Sequence, residues 1–138
     1  MISAYRFHPV PGEAMAVVSF RTRAYLESMQ LGNWTFTLFS DGLIGLDGGA
    51  MYGVVPKPLW ERSTPADDRN RVPVALRCLL VEGEGRRILI DTGVGDRWDA
   101  RQREIYGMTR RAGELLTQLD EAGLARTSIT DVVLTHLH

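Results

Sequence analysis

The feature that most constrains the fold is a pair of apolar segments, "VALRCLLVE" and "RRILIDTG", which are separated only by "GEG". Both segments are rich in branched aliphatic residues, and the intervening glycines favour a tight turn, so the pattern predicts a β-hairpin. Because nearly every position is apolar, we expect both faces of this hairpin to be covered. The chain must therefore build a sheet with other elements packed on it.

Further strands are predicted before the hairpin. In "NWTFTLFSDG" apolar and polar residues alternate from Trp34 onward, which is typical of a strand that ends at "SDG". The following "LIGLDGGAMYGVV" is too rich in glycine for a helix and is interpreted as a second strand broken by a loop. The segment "PKPLWERSTPADDRNRVP" is a polar connection bracketed by prolines.

One amphipathic helix and one strand are predicted after the hairpin. In "TRRAGELLTQLDEAG" the helical spacing of apolar residues indicates a helix that ends at Gly123. The stretch "ITDVVLT" then returns to strand character. We therefore expect an α/β fold in which mostly antiparallel strands are followed by a helix and a strand, over residues 34–138. Residues 1–33 show no clear period and are interpreted as an N-terminal arm of uncertain order. The apolar helical positions are Ala112, Leu115, Leu116, Leu119 and Ala122.

Composition excludes several classes of partner. The chain has 138 residues, 44% of them hydrophobic and 24% charged, and a net charge of −1, which suits one soluble globular domain. Its basic residues are spread among the acidic ones, so neither a nucleic-acid surface nor a membrane surface is expected. No leader-type or membrane-spanning segment is apparent, which favours a cytoplasmic location. Cys78 has no cysteine partner and is interpreted as a buried strand residue.

The sequence "THLH" places His136 and His138 two positions apart after the last predicted strand. In extended backbone such residues project to the same side, about 6.5–7 Å apart, so their imidazoles can converge on one ion. The spacing alone favours two polar residues at a strand end over a metal site.

The segments "RRILIDTGVGD" and "ITDVVLTHLH" together resemble the metallo-β-lactamase superfamily, whose metal motif reads His-x-His-x-Asp-His after an apolar strand. "FTLFSDG" and "GGAMYGVVPKPLW" resemble the branch that contains quorum-quenching lactonases and related ester hydrolases. The resemblance extends from about Trp34 to His138. It implies the first half of an αβ/βα sandwich.

The resemblance also implies a site. His136 and His138 would be metal ligands, and Asp91 would support the site through hydrogen bonds without touching the metal. The complete protein would hold two divalent metal ions, expected to be zinc, and a metal-activated hydroxide would attack an ester or lactone substrate. Met51, Tyr52 and Trp60 would supply an apolar wall for that substrate, although ordinary packing on the sheet explains these large side chains equally well.

The sequence departs from the family motif directly after His138, where the next aspartate and histidine are absent. Two histidines alone are expected to bind metal weakly, so the 138-residue chain by itself is predicted to be inactive. The inner face of its sheet would need a complementary C-terminal half or a second copy of the chain. The sequence leaves open whether this half belongs to the same chain or to a separate one.

Two other interpretations remain open at the level of the sequence. "ILIDTGVGD" has the Asp-Thr-Gly form of an aspartic protease, which would require a homodimer with two aspartates sharing a proton. This interpretation leaves "THLH" unexplained. A non-catalytic half-domain that acts as an interaction module is the other. The role of His8 in the arm is left open.

Overall fold

The computed structural model describes residues 21–23, 26–110 and 113–137, so His8, Ala112 and His138 lie outside the described residues. Within them the strands form one six-stranded sheet, in which neighbours are antiparallel except for the parallel pair β5–β6. This confirms the predicted α/β order, with mostly antiparallel strands first. The strands are β1 (Arg21–Arg23), β2 (Leu26–Leu31), β3 (Trp34–Asp47), β4 (Arg71–Gly83), β5 (Arg86–Ile90) and β6 (Asp131–Val133).

Short helices occupy the connections between the strands. The connection from β3 to β4 contains two of them and the connection from β5 to β6 contains the others. In the described part of the chain, none of the helices has the length and apolar character that crossing a bilayer requires. The helices are α1 (Gly48–Tyr52), α2 (Lys57–Trp60), α3 (Ala100–Ile105) and α4 (Glu114–Glu121), and a 3-10 turn covers Arg126–Ser128.

The predicted hairpin is confirmed, since β4 and β5 pair from Leu79–Ile90 to Gly83–Arg86. Its turn is formed by Glu84 and Gly85, whose φ angles are 50° and 76°. Two successive positive φ angles match the right-handed twist of the strands on either side. The short "GEG" sequence is therefore sufficient to close the hairpin.

The prediction that "SDG" ends the strand from Trp34 was wrong. Strand β3 continues to Asp47, and its register against β4 shifts between Ser40 and Leu43. This β-bulge leaves Asp41 and Gly42 outside the regular pairing, with φ of 98° at Gly42. A bulge bends the strand and redirects a side chain, which here turns the Asp41 carboxylate into the protein interior.

The glycine-rich segment after the bulge was predicted correctly as a strand over Leu43–Asp47 but wrongly beyond it, because Gly48–Tyr52 forms helix α1. The Asp47 side chain caps this helix by accepting a hydrogen bond from the Ala50 N–H. Gly48 is required by packing, since a Cβ built there would lie 2.5 Å from the Trp60 ring. The cap and this contact outweigh the low helix propensity of glycine.

The long amphipathic helix was predicted correctly as an element, and α4 ends before Gly123, whose φ is 75°. Its buried face packs on one side of the sheet, and the Gln118 amide binds the N–H and the carbonyl of Ser40 in β3. Helix α3 was not predicted, although Asp99 and Gln102 form a capping box. The core consists of Phe39, Cys78, Leu80, Leu89, Leu115 and Leu119.

The two faces of the sheet differ in burial. The face under α4 carries the fully buried core, whereas Phe36, Leu38, Leu79, Val81 and Ile88 on the opposite face are only half-buried. This is the face that was expected to need a complementary half or a second copy of the chain, so the expectation that both faces of the hairpin are covered stays a prediction. An apolar, half-buried sheet face is the surface on which a second layer would pack.

Part of the predicted N-terminal arm has regular structure. Leu26–Leu31 pairs with β3 from Glu27–Leu38 to Leu31–Trp34, and Arg21–Arg23 pairs with β2 in turn. In the sheet, β1 is the edge strand and β2 lies between β1 and β3. The boundary at residue 34 between an arm and a domain stays a prediction.

Candidate metal centre

The candidate site lies where two parallel strands end. Asp91 follows β5 directly and Thr135 and His136 follow β6, so the parallel pairing brings both segments to the same edge of the sheet. The backbone extends this pairing by one step, since the Asp91 N–H donates to the carbonyl of Val133 over 2.8 Å. The sheet itself therefore brings Asp91 next to the His136 segment.

Both carboxylate oxygens of Asp91 accept hydrogen bonds from Thr135. The Thr135 N–H donates to Oδ1 at 2.9 Å, and the Thr135 hydroxyl donates to Oδ2 at 2.7 Å. These two hydrogen bonds, with the backbone one contributing most, hold the pKa of Asp91 below its ordinary value of 3.8. Asp91 is thus an ionised acceptor at neutral pH. Its φ of 60° is unusual for a residue with a side chain.

Thr135 also contacts the imidazole of His136, with 2.8 Å between its hydroxyl oxygen and Nδ1. A hydroxyl has one hydrogen, and Thr135 gives it to a carboxylate that can only accept. Nδ1 must therefore be the donor in the contact with Thr135, which leaves the lone pair of the neutral ring on Nε2. A histidine whose other nitrogen donates to a fixed acceptor is the usual form of a metal-binding histidine. The donor chemistry of His136 therefore fits a divalent metal ion.

Of the predicted metal-site residues, the structure brings Asp91 and His136 together, linked by Thr135. His138 lies outside the described residues, so its role as a ligand stays a prediction. No group of three or more histidine, cysteine, aspartate or glutamate side chains that could hold a metal occurs within residues 21–23, 26–110 and 113–137. The role of Thr135 was not predicted from the sequence, although its place directly before "HLH" was the available signal.

A buried ion pair holds the loop after Asp91, and sequence reasoning did not find it. The Arg110 guanidinium donates to Oδ1 of Asp41 at 2.7 Å, and both side chains are at least 98% buried. Asp41 also accepts from the Val94 N–H, and Arg110 also donates to the carbonyl of Gly95 and to Asp96. Burial acts to lower the pKa of Arg110, but the hydrogen bonds to Asp41 and Asp96 raise it overall.

Cys78 lies beneath the same loop and is fully buried. Burial raises the pKa of its thiol to about 12, and the carboxylates of Asp41 and Asp91 add to the effect. A thiol with such a pKa is protonated at neutral pH and is a poor nucleophile or metal ligand. The interpretation of Cys78 as a buried strand residue is confirmed.

The three residues predicted to form a substrate wall differ in their surroundings. Tyr52 and Trp60 stack with ring centroids 4.6 Å apart, and the Tyr52 hydroxyl binds Thr64 at 2.7 Å. Trp60 is only 6% exposed, whereas Met51 is 49% exposed. Tyr52 and Trp60 thus pack mainly on each other, and Met51 offers the larger open apolar surface.

The three predicted wall residues lie beyond the same end of the sheet as Asp91, but at a distance from it. Strands β3 and β4 continue beyond the end of β5, from the level of Cys78 to Arg71, and α1 and α2 follow at that far end. At about 3.3 Å per residue, these seven steps span about 23 Å along the strand. The assignment of the wall to substrate binding stays a prediction.

The comparisons with a family model and with solved structures agree with each other. Residues 72–138 match the family model of the metallo-beta-lactamase superfamily. The fold is similar to the crystal structure of a probable metal-dependent hydrolase from Staphylococcus aureus, with a TM-score of 0.74 and 30% identity over 80% of this chain and 40% of that chain. A comparison with curated proteins gave no match.

Two further solved structures are similar. AidC is described as a dizinc quorum-quenching lactonase in complex with a product, N-hexnoyl-L-homoserine; it gives a TM-score of 0.61 and 29% identity over 83% of this chain and 36% of that chain. The hydrolase AbOPH, described as in the beta lactamase superfamily, gives a TM-score of 0.64 at 21% identity, over 86% of this chain and 38% of that chain, and supports the fold alone. This chain spans 36–40% of the length of these three structures.

Proposed function

Because this chain belongs to the metallo-β-lactamase superfamily and carries the N-terminal half of its fold, we propose that it supplies half of the metal site of a hydrolase. The single observation that carries the proposal is the hydrogen-bonded series Asp91, Thr135, His136 at the edge of the sheet. This series supports a metal-binding role because it fixes the imidazole tautomer and its orientation before metal arrives.

The residues of this chain divide the work at the site. His136, through Nε2, and His138 would be the ligands that this half contributes to a centre of two divalent ions. Asp91 would orient Thr135 and, through its hydroxyl, the His136 ring. When bound, divalent ions such as zinc lower the pKa of a coordinated water toward about 7 and polarise a carbonyl oxygen. The remaining ligands would come from the complementary C-terminal half, which would also cover the half-buried face of the sheet.

We propose an ester or a lactone as the substrate. The similarity to AidC, described as a lactonase with a bound homoserine product, supports this substrate class. Exposed Met51, next to Tyr52 of the stacked pair, would receive only the far end of a long acyl chain, because α1 lies about 23 Å along the strands from the level of Asp91. The aspartic-protease alternative has lost its support, because both oxygens of Asp91 are engaged by Thr135 in a chain of another superfamily.

The test requires the complete protein, that is, this chain together with its C-terminal half. Purified protein should contain about two zinc or similar ions per site, and a chelator should abolish hydrolysis of an N-acyl homoserine lactone or a simple aryl ester. Adding zinc back should restore the activity. Full activity in a metal-free preparation would contradict the proposal.

A matched pair of histidine variants assigns the ligands. His136→Ala should lose bound metal and hydrolysis together, because it removes a ligand from the centre. His8→Ala is the control, since His8 lies outside the His-x-His motif that supplies the predicted ligands. Equal loss of metal in both variants would refute the assignment of His136.

A further inference from the structure

The ion pair between Asp41 and Arg110 is buried to an extent that stability alone does not explain. The two side chains are 1% and 2% exposed. Removing two charges from water is costly, and well-packed apolar residues often replace such a pair without loss of stability. The specific groups that the pair binds therefore suggest its role.

Three further hydrogen bonds of this pair reach the loop of residues 91–96, which we call the Asp91 loop, and a fourth, from the Leu115 N–H to Asp41 Oδ1 at 3.3 Å, joins the pair to α4. Asp41 Oδ2 accepts from the Val94 N–H at 2.9 Å. Arg110 donates to the Gly95 carbonyl at 2.8 Å and to Oδ1 of Asp96 at 2.5 Å. The pair thus holds the Asp91 loop through a backbone donor, a backbone acceptor and a side chain.

The Asp91 loop needs such support because its first residue is strained. Asp91 has a side chain and a φ of 60°, a conformation that persists only when the surroundings impose it. On one side it is fixed by the hydrogen bond to the Val133 carbonyl. On the other side the loop presses against the ion pair, since a Cβ at Gly93 would lie 2.1 Å from Asp41 Oδ2.

We propose that Asp41 and Arg110 are positioning residues that hold Asp91 in its left-handed conformation, so that its carboxylate meets Thr135 and thereby orients His136. They would act on the metal through the Asp91 loop without touching it. This inference rests on the proposed function as far as the metal is concerned. Its first consequence, an ordered hydrogen bond from Thr135 to Asp91, is independent of any metal.

The chain offers a matched control in Arg71. Its guanidinium also pairs with an aspartate, Asp67, at 2.7 Å, and also donates to two backbone carbonyls, those of Glu104 and Ile105. These contacts lie at the far end of β4, away from Asp91. Arg71 therefore anchors a loop by the same chemistry, but none of these contacts reaches the Asp91 loop.

The experiment compares Arg110→Lys with Arg71→Lys in the complete protein. Lysine keeps the charge in both but cannot form the same set of hydrogen bonds. Both variants should melt several degrees lower. In the metal-free protein, only Arg110→Lys should lose the exchange protection of the Thr135 amide. Zinc affinity, from competition with a chromophoric chelator, should fall about 10–100-fold in Arg110→Lys, the usual effect of displacing a group that orients a ligand, and should be unchanged in Arg71→Lys.

The outcomes separate the two proposals. Unchanged Thr135 protection in folded Arg110→Lys would overturn the positioning role, whatever the metal content. Wild-type protein that shows the protection but binds no zinc would overturn the proposed function instead. If Arg110→Lys does not fold, Asp96→Ala removes one partly exposed contact of the same loop. It should show the same two losses to a smaller degree, and wild-type behaviour there would also overturn the inference.

Discussion

Arg110 and Arg71 make the same kind of contact in two different environments. Each guanidinium joins an aspartate to the backbone of a distant loop, but the Arg110 side chain is 2% exposed and that of Arg71 is 18% exposed. The buried pair Asp41–Arg110 binds the loop that follows Asp91. The more exposed pair Asp67–Arg71 lies at the end of the β3–β4 pairing, where Asp47 is paired with Arg71. We infer that the ion pair is more deeply buried where it fixes the Asp91 loop, because the geometry of that loop determines the candidate site.

The strongest test of this comparison removes each arginine entirely. Arg110→Ala leaves Asp41 as a buried charge without its partner, which should cost about 3–5 kcal/mol. Arg71→Ala should cost clearly less, because water can reach Asp67. Urea denaturation of the complete protein measures both. Similar losses of unfolding free energy in the two variants would remove the distinction.

A second test uses two glycines of the Asp91 loop with nearly the same backbone. Gly93 and Gly95 have φ angles of 69° and 67°, but only Gly93 faces Asp41. Alanine at Gly95 should cost about 1–2 kcal/mol, the penalty of the left-handed conformation. Alanine at Gly93 should cost about 1–3 kcal/mol more, because its Cβ collides with the buried carboxylate. Thermal unfolding of the two variants decides, and equal costs would mean that Asp41 does not constrain the loop.

The third test addresses the group that this loop presents. Asp91→Asn keeps the shape of the side chain but puts an NH₂ group where Thr135 now donates a hydrogen bond. We expect metal affinity or activity to fall about 10–100-fold, the usual effect of losing a group that orients a ligand. Asp67→Asn, in the Arg71 pair, is the control and should leave metal affinity unchanged. Metal content by elemental analysis provides the readout, and wild-type affinity in Asp91→Asn would contradict the role of Asp91.

Sequence reasoning succeeded where a periodic apolar pattern determined an element. The hairpin β4–β5, helix α4 and strand β6 each carry such a pattern, and Asp91 and His136 follow two of these strands. Helix α1 was not predicted, because it depends on a cap at Asp47 and on the approach of Trp60 to Gly48. These contacts arise only after the chain has folded.

The ion pair between Asp41 and Arg110 was not predicted either, because it also depends on contacts that form only in the folded chain. Asp41 and Arg110 are 69 positions apart, and Asp41 turns inward only because the strand bulges at Gly42. A sequence that alternates polar and apolar residues does not reveal a bulge, so "SDG" was interpreted as a strand end. The positive φ that Gly42 permits was the physical signal for the bulge.

The smallest loss of stability is expected for a third arginine, Arg86, which lies on the surface. Arg86 pairs with Asp131 and joins β5 to β6, but its side chain is 57% exposed. Chiefly through this hydrogen bond, Arg86 holds the pKa of Asp131 below the ordinary value of 3.8. The pair therefore contributes at neutral pH, and its contribution is lost as the pH falls below 3.8 through the lowered pKa of Asp131. Arg86→Ala should destabilise the protein less than either of the other alanine variants, and high salt should remove most of the difference. Urea denaturation at low and high salt, repeated at acidic pH, measures the free energy of unfolding of the three alanine variants. If Arg86→Ala lost as much of this free energy as Arg110→Ala, burial would not determine how much each of the three pairs stabilises the protein.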